Sequence, residues 1–288
     1  MKTIKYFLES IIVRIAICFF KCFKIDTASD IGGWVARNIG PTLNITNVAR
    51  NNIKMAIPEI SAEKVEQIIY DMWDNLGRVA AEFIHIFDLS EEEFLKRVKI
   101  EGAEHLIGLK EKGGIFFSGH IANWEISPRY PVIQNIKTSL IYRSANNKFV
   151  DDIMRQERSK NNVLVIPKGH KAGRKIIETL ARGNALAMLV DQKMNDGINV
   201  PFFNQPAMTA PAIARLALKF NCDVIPSQVI RVKQANFILK FYPPIKIVKL
   251  PDNEQNVYNI MLSVNNMLEK WITEYPGQWF WLHKRWKK

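Results

Sequence analysis

From about residue 98 onward the chain alternates short strand-like runs with amphipathic stretches of helical length, and this alternation constrains its fold more than any other feature. The strand-like runs are Val98–Glu101, Ile115–Ser118, Thr138–Tyr142, Val163–Ile166, Ala185–Val190, Val224–Ile230 and Phe237–Phe241. Helical periodicity fills 103–111, 122–134, 147–160, 170–182 and 209–220 between them. A strand followed by a helix returns parallel to the strand before it. The pattern therefore predicts an α/β fold: a mainly parallel sheet covered by helices on both sides. Such sheets gather their sites beyond the carboxyl ends of the strands. The residues after Ser118, Tyr142 and Val190 are thus the first places to look for chemistry.

The stretch before the sheet reads as helix over 27–97. Its longest amphipathic segment, 63–88, has Ser61 placed to cap it, and Ser90-Glu-Glu-Glu93 opens a shorter helix in the same way. A last helix is expected over 253–275. No linker composition interrupts the chain. The expected organisation is a membrane-associating helix over 1–25 and one α/β domain over 26–288. That domain is helical over 26–97, holds the sheet over 98–250, and closes with a helix and an aromatic–basic end over 251–288.

The first segment places Ile4, Phe7, Leu8, Ile11, Ile12, Ile15, Cys18, Phe19 and Cys22 on one helical face and Lys5, Glu9, Arg14, Lys21 and Lys24 on the other. About 20 residues of helix reach roughly 30 Å, enough to cross a bilayer. Glu9 and Arg14 would each cost roughly 2.5–3.5 kcal/mol at its centre. Two membrane readings stand, a tilted anchor and a helix lying in the interface, beside a third in which the helix docks on the protein's own core. The flanking lysines put the body of the protein on the cytoplasmic side in either membrane case. The formal charge of +12, concentrated at the two ends, points to an anionic partner: a membrane surface, an acidic substrate or nucleic acid. Nucleic-acid binding is the alternative from another class, but the chain carries no zinc spacing, RNP-like aromatics or convincing helix-turn-helix. Three cysteines exclude a disulfide framework.

The most informative stretch is Ile115-Phe-Phe-Ser-Gly-His120-Ile-Ala-Asn-Trp-Glu125. A buried strand ends at Ser118-Gly119, and His120 follows where a helix should begin. Residues five apart on a helix diverge by about 140°, so His120 and Glu125 meet only if His120 precedes the helix and Glu125 lies in its first turns. There a carboxylate would fix the imidazole tautomer and leave the second nitrogen to take a proton. Arg143 closes a strand and Arg158 follows on the next helix. A guanidinium suits phosphate or carboxylate, and salt bridges to Asp151, Asp152 or Glu157 are the structural alternative. Asp191 ends another strand at the expected active edge, with pairing to one of those arginines as its expected role. Pro167-Lys-Gly-His-Lys-Ala-Gly-Arg174 reads either as a solvated helix start or as a phosphate cradle. The closing Trp279, Phe280, Trp281 and Trp286, mixed with cations, read either as core or as a membrane belt.

His120-Ile-Ala-Asn-Trp-Glu125, Tyr142-Arg143, Asp191-Gln192, Val200-Pro-Phe-Phe203 and Gln278-Trp-Phe-Trp-Leu-His-Lys-Arg-Trp286 together resemble the late lipid A acyltransferases of the lysophospholipid acyltransferase superfamily. The resemblance covers nearly the whole chain, with one departure: Asn204 stands where the family usually has Gly. It implies direct transfer of a fatty acyl chain from an acyl carrier protein or coenzyme A thioester to a hydroxyl of a phosphorylated, glucosamine-based lipid. The setting would be the cytoplasmic face of a bacterial inner membrane. A glycerolipid or a mannosylated phosphoinositide is the alternative acceptor. His120 would be the general base and Glu125 its orienting partner. Asn123, Arg143, Arg158, Asp191 and Gln192 would bind substrate, Asn123 either near the thioester oxygen or as a helix cap. No cofactor or metal is called for.

Overall fold

Two segments of different character build the molecule, which is described here from a computed structural model covering residues 2–169, 172–248 and 250–286, with the Lys2 side chain outside the description. The first segment is helical: α1 (Lys2–Lys21), α2 (Ile25–Ile39), α3 (Thr46–Ala56), α4 (Ala62–Ile86) and α5 (Glu91–Arg97). The second alternates β1 (Val98–Glu101), α6 (Ile107–Lys112), β2 (Gly114–Ser118), α7 (Arg129–Ile133), β3 (Thr138–Tyr142), α8 (Lys148–Ser159), β4 (Leu164–Pro167), α9 (Ala172–Ala181) and β5 (Ala185–Leu189). A hairpin, β6 (Lys193–Phe202) and β7 (Gln205–Thr209), follows; then come α10 (Ala212–Phe220), β8 (Val224–Lys233), β9 (Asn236–Phe241) and α11 (Asn253–Glu274).

Seven strands form one sheet in the order β1-β9-β8-β2-β5-β3-β4. Every neighbour pair is parallel except β8 with β9, which are joined by a tight turn. The expected α/β architecture is therefore present. β2 and β3 are buried along their whole length, as central parallel strands must be when helices cover the sheet. Phe117 of β2 stacks on Trp271 of α11, their ring centroids 6.0 Å apart, in the core between sheet and helix.

The helical segment is held by its caps and by one close crossing. Ser61 accepts from the Lys64 amide at the start of α4, and Ser90 with Glu93 forms a complete capping box on α5, both as the sequence pattern requires. α2 and α4 cross at Gly32 and Gly77. A Cβ on either would lie within 2.4 Å of the other's carbonyl oxygen, so only glycine permits the approach.

One expectation changes. No continuous helix occupies 122–134. Ala122 adopts a left-handed conformation (φ 49°), a 3₁₀ turn covers Trp124–Ile126, and only Arg129–Ile133 is α-helical. Pro128 and Pro131 offer no amide to a longer helix. The β6–β7 hairpin forms in a stretch to which the sequence pattern assigns no element. Its two-residue turn, Phe203-Asn204, has positive φ at both positions (51° and 54°), the geometry of a type I′ turn. Asn tolerates that conformation, so the departure from the family's usual Gly leaves the turn intact. Among the described residues no helix is long and apolar enough to cross a membrane. α1 meets the body through several side chains: Asn147 donates to the Tyr6 carbonyl and to Glu9, Phe7 meets Phe149 edge-on, His85 reaches the Phe20 carbonyl, and Lys21 pairs with Asp88 at 3.8 Å. Its apolar row, including Ile4, Leu8, Ile12, Ile15 and Phe19, stays exposed.

Candidate active site

Strand register places the central pair. β2 and β5 are adjacent and parallel, with Ser118 level with Leu189, and the Val190 amide continues the ladder by donating to the Ser118 carbonyl. His120 and Asp191, each two residues beyond its strand, therefore arrive side by side. The His120 ring bonds through Nδ1 to Asp191 Oδ1 at 2.7 Å, and the His120 amide donates to Oδ2 at 2.7 Å. Trp279 Nε1 donates to the same Oδ2 at 2.7 Å. Burial by itself would push the Asp191 carboxyl up. The charge and hydrogen bond of the His120 ring, aided by the Trp279 and His120 N–H groups, outweigh burial and hold it well below the usual carboxylate range. An ionised Asp191 keeps the imidazole proton on Nδ1 and leaves Nε2 as a base.

Glu125 does not serve His120. Both its oxygens are taken by Arg158, whose Nε lies 2.9 Å from Oε2 and whose Nη2 lies 2.5 Å from Oε1. The pair is buried, and the guanidinium also lies over the Tyr142 ring, 5.2 Å from its centroid. The expected His120–Glu125 contact fails because the chain turns sharply at Ala122 and aims Glu125 toward α8. Arg158 accordingly pairs with Glu125 and not with Asp151, Asp152 or Glu157, while Asp191 pairs with His120 and not with an arginine.

Asn123 is fully buried and faces away from the open side of the site. Its Oδ1 accepts from the Glu125 amide at the start of the 3₁₀ turn, and its Nδ2 donates to Glu82 at 2.8 Å. It is a cap, one of the two roles open to it. Glu82 belongs to a buried polar hub that the sequence did not reveal. It also accepts from Ser29 and from both terminal nitrogens of Arg231. Arg231 in turn bonds Asn75, and Asn75 Nδ2 donates to the carbonyls of Ala122 and Gln278. The helical segment thus grips the backbone just past His120 from behind. Gln278 carries the grip to the C-terminal segment, whose Ala122–Gln278 and His120–Phe280 backbone bonds run beside the histidine.

That C-terminal segment is core, not a membrane belt: Trp279, Trp281 and Trp286 are buried, and Arg285 donates to the Met208 carbonyl and to Thr209. Burial pushes the Arg285 guanidinium down to about 10. Of the cations in that segment, Lys287 and Lys288 lie outside the described residues, as do His170 and Lys171 of the candidate phosphate cradle.

His120 opens on a cavity of about 800 Å³. One wall is apolar, with Leu140, Ile141, Ile176, Met188 and Val190. The lining also carries Arg143, Arg158, Lys168 and Lys193 against Glu125 alone. Gln192 lines it and Arg143 is exposed at its edge. The arrangement combines a base, an apolar surface for a chain and cations for an acidic group.

The family model described as bacterial lipid A biosynthesis acyltransferase matches residues 1–288. Among characterised proteins, the chain is 22% identical over 247 residues to the lipid A biosynthesis palmitoleoyltransferase of Escherichia coli (strain K12), covering 84% of this chain and 78% of that protein. It is 22% identical over 246 residues to the lipid A biosynthesis lauroyltransferase of the same organism, covering 83% and 78%. Among solved structures it matches the 1-acyl-sn-glycerophosphate acyltransferase of Thermotoga maritima with a TM-score of 0.39 and 15% identity, over 94% of this chain and 98% of that one.

Proposed function

The chain belongs to the bacterial lipid A biosynthesis acyltransferase family, and from that premise we propose a mechanism in which His120 and Asp191 carry the transfer of a fatty acyl group. The donor is an acyl thioester of acyl carrier protein or coenzyme A, and the acceptor is a hydroxyl of an acidic lipid A precursor. His120 Nε2 takes the proton of the acceptor hydroxyl as its oxygen attacks the thioester carbonyl carbon, and the carbonyl electron pair moves onto oxygen. Collapse of this intermediate breaks the carbon–sulfur bond. The imidazolium returns its proton to the departing thiolate, so His120 ends as it began. Asp191 holds the tautomer and balances the imidazolium. Arg143, with Lys168 and Lys193, faces the acceptor's acidic groups, and Gln192 contacts substrate beside them. Glu125 and Arg158 shape the wall. The observation that carries this reading is the 2.7 Å contact of His120 with a buried carboxylate at the mouth of an apolar, cation-edged cavity.

The site of action in this proposal is the cytoplasmic face of the bacterial inner membrane, with α1 lying in the interface. Its exposed apolar row supports that placement, and Trp34, Val35 and Ile39 of α2 extend the apolar surface. The test is mass spectrometry of an under-acylated lipid A precursor incubated with an acyl thioester and the protein. We expect a product heavier by one acyl chain, and a rate lower by about 10²–10⁴-fold for His120→Ala with unchanged circular dichroism. Wild-type rates in His120→Ala would end the proposal.

A further inference from the structure

A second histidine stands in the same cavity with no part in the proton transfer. His283 lines the cavity along with His120, yet its Nδ1 is sealed from solvent and meets no hydrogen-bonding partner among the described residues. A buried N–H with no acceptor is more costly than a buried lone pair with no donor, because the stronger dipole loses its water. The neutral ring therefore carries its proton on Nε2, the one nitrogen it can turn to the cavity. Burial pushes the ring down to about 4, a tendency that Arg285, Arg143 and His120 reinforce and Asp191 opposes, so it is uncharged at neutral pH. The backbone that bears it is pinned: the His283 carbonyl accepts from Asn52 Nδ2 at 2.7 Å and from the Arg285 amide at 2.8 Å, and Asn52 also holds the Trp281 carbonyl.

We infer that His283 donates a hydrogen bond from Nε2 to the thioester carbonyl oxygen as that oxygen becomes an oxyanion, making it a second catalytic residue of the reaction proposed above. A donor of this kind works by being in place beforehand and by carrying no charge for water or Asp191 to compete over. Two roles are thereby divided between two imidazoles: His120, tied to a carboxylate, moves the proton, and His283, tied to none, steadies the negative oxygen. No bond forms or breaks at His283, and its protonation is the same before and after.

The inference rests on the acyl-transfer reading, and paired variants of the full-length protein separate the two. His283→Gln keeps an amide N–H at about the reach of Nε2; His283→Met keeps the bulk and removes the donor. Met also removes a buried atom that has no partner, so its melting temperature should match or exceed that of the wild type. With acyl carrier protein thioester and an under-acylated lipid A precursor, we expect His283→Met to lose about 10²–10³-fold in kcat with KM within threefold, and His283→Gln to stay within about tenfold of wild type. A purely structural role would lower both variants alike or raise KM, and either pattern overturns the inference. Wild-type kcat in His283→Met overturns it too. A wild-type protein with no product sinks the acyl-transfer reading itself, an outcome distinct from any difference between the variants.

Discussion

Two carboxylates stand beside His120, Glu125 in the cavity lining and Asp191 behind the imidazole, and each meets a different nitrogen partner. Asp191 holds an imidazole and Glu125 a guanidinium, though Glu125 lies five residues from His120 and Asp191 lies 71 away. The partner distant in sequence wins because β2 and β5 run parallel in register, so equal overhangs land together. The neighbour in sequence loses because the chain reverses at Ala122. A charged pair made with a titrating ring can do acid–base work. A pair made with a guanidinium, charged at every working pH, can only hold shape.

Each carboxylate can be broken separately. Asp191→Asn should be the most severe: it offers the ring a group that no longer enforces the Nδ1–H tautomer, and kcat should fall by about 10⁴-fold while the fold persists. Measured activity within tenfold of wild type would erase the contrast with Glu125. On the other side, Arg158→Met leaves Glu125 as a buried charge without its partner, and denaturant unfolding should show a loss of about 3–5 kcal/mol. Adding Glu125→Gln should restore much of that stability and most of the activity. A double variant as stable as wild type but as inactive as Asp191→Asn would mean the second pair takes part in the chemistry. The smallest effect belongs to Trp279→Phe, which removes one of three donors to Asp191 and should cost about 1 kcal/mol in stability and roughly tenfold or less in kcat.

The central strands were legible because strands buried on both faces are dominated by apolar residues, and Ile115-Phe-Phe of β2 and Ala185–Leu189 of β5 carry that signal. The caps at Ser61 and Ser90 were legible because a helix start needs a side-chain acceptor at one position. The β6–β7 hairpin was not. Lys193-Met-Asn-Asp-Gly-Ile-Asn-Val-Pro has no clean alternation, Gly and Pro both argue against a strand, and the turn is Phe-Asn in place of Asn-Gly. In the site, His120 and Asp191 were both placed at the active edge, since the strand-end rule depends only on where strands stop. Their pairing was hidden because it depends on which strands are neighbours, and linear spacing carries no record of that. Two residues past each of two strands that prove adjacent is the signal that would have joined them. Glu82, Asn75 and Arg231 lie within amphipathic helix and strand patterns, where a buried polar residue looks like any other interruption.

The third donor to Asp191 arrives late. During synthesis His120 and Asp191 leave the ribosome well before Trp279, and at about 5–20 residues per second the interval lasts several seconds. Until the Gln278–Phe280 stretch docks beside His120, the carboxylate has two of its three donors, both from His120, and the His120 carbonyl lacks the bond it accepts from the Phe280 amide. The carboxylate's last fastening to fall into place is an indole.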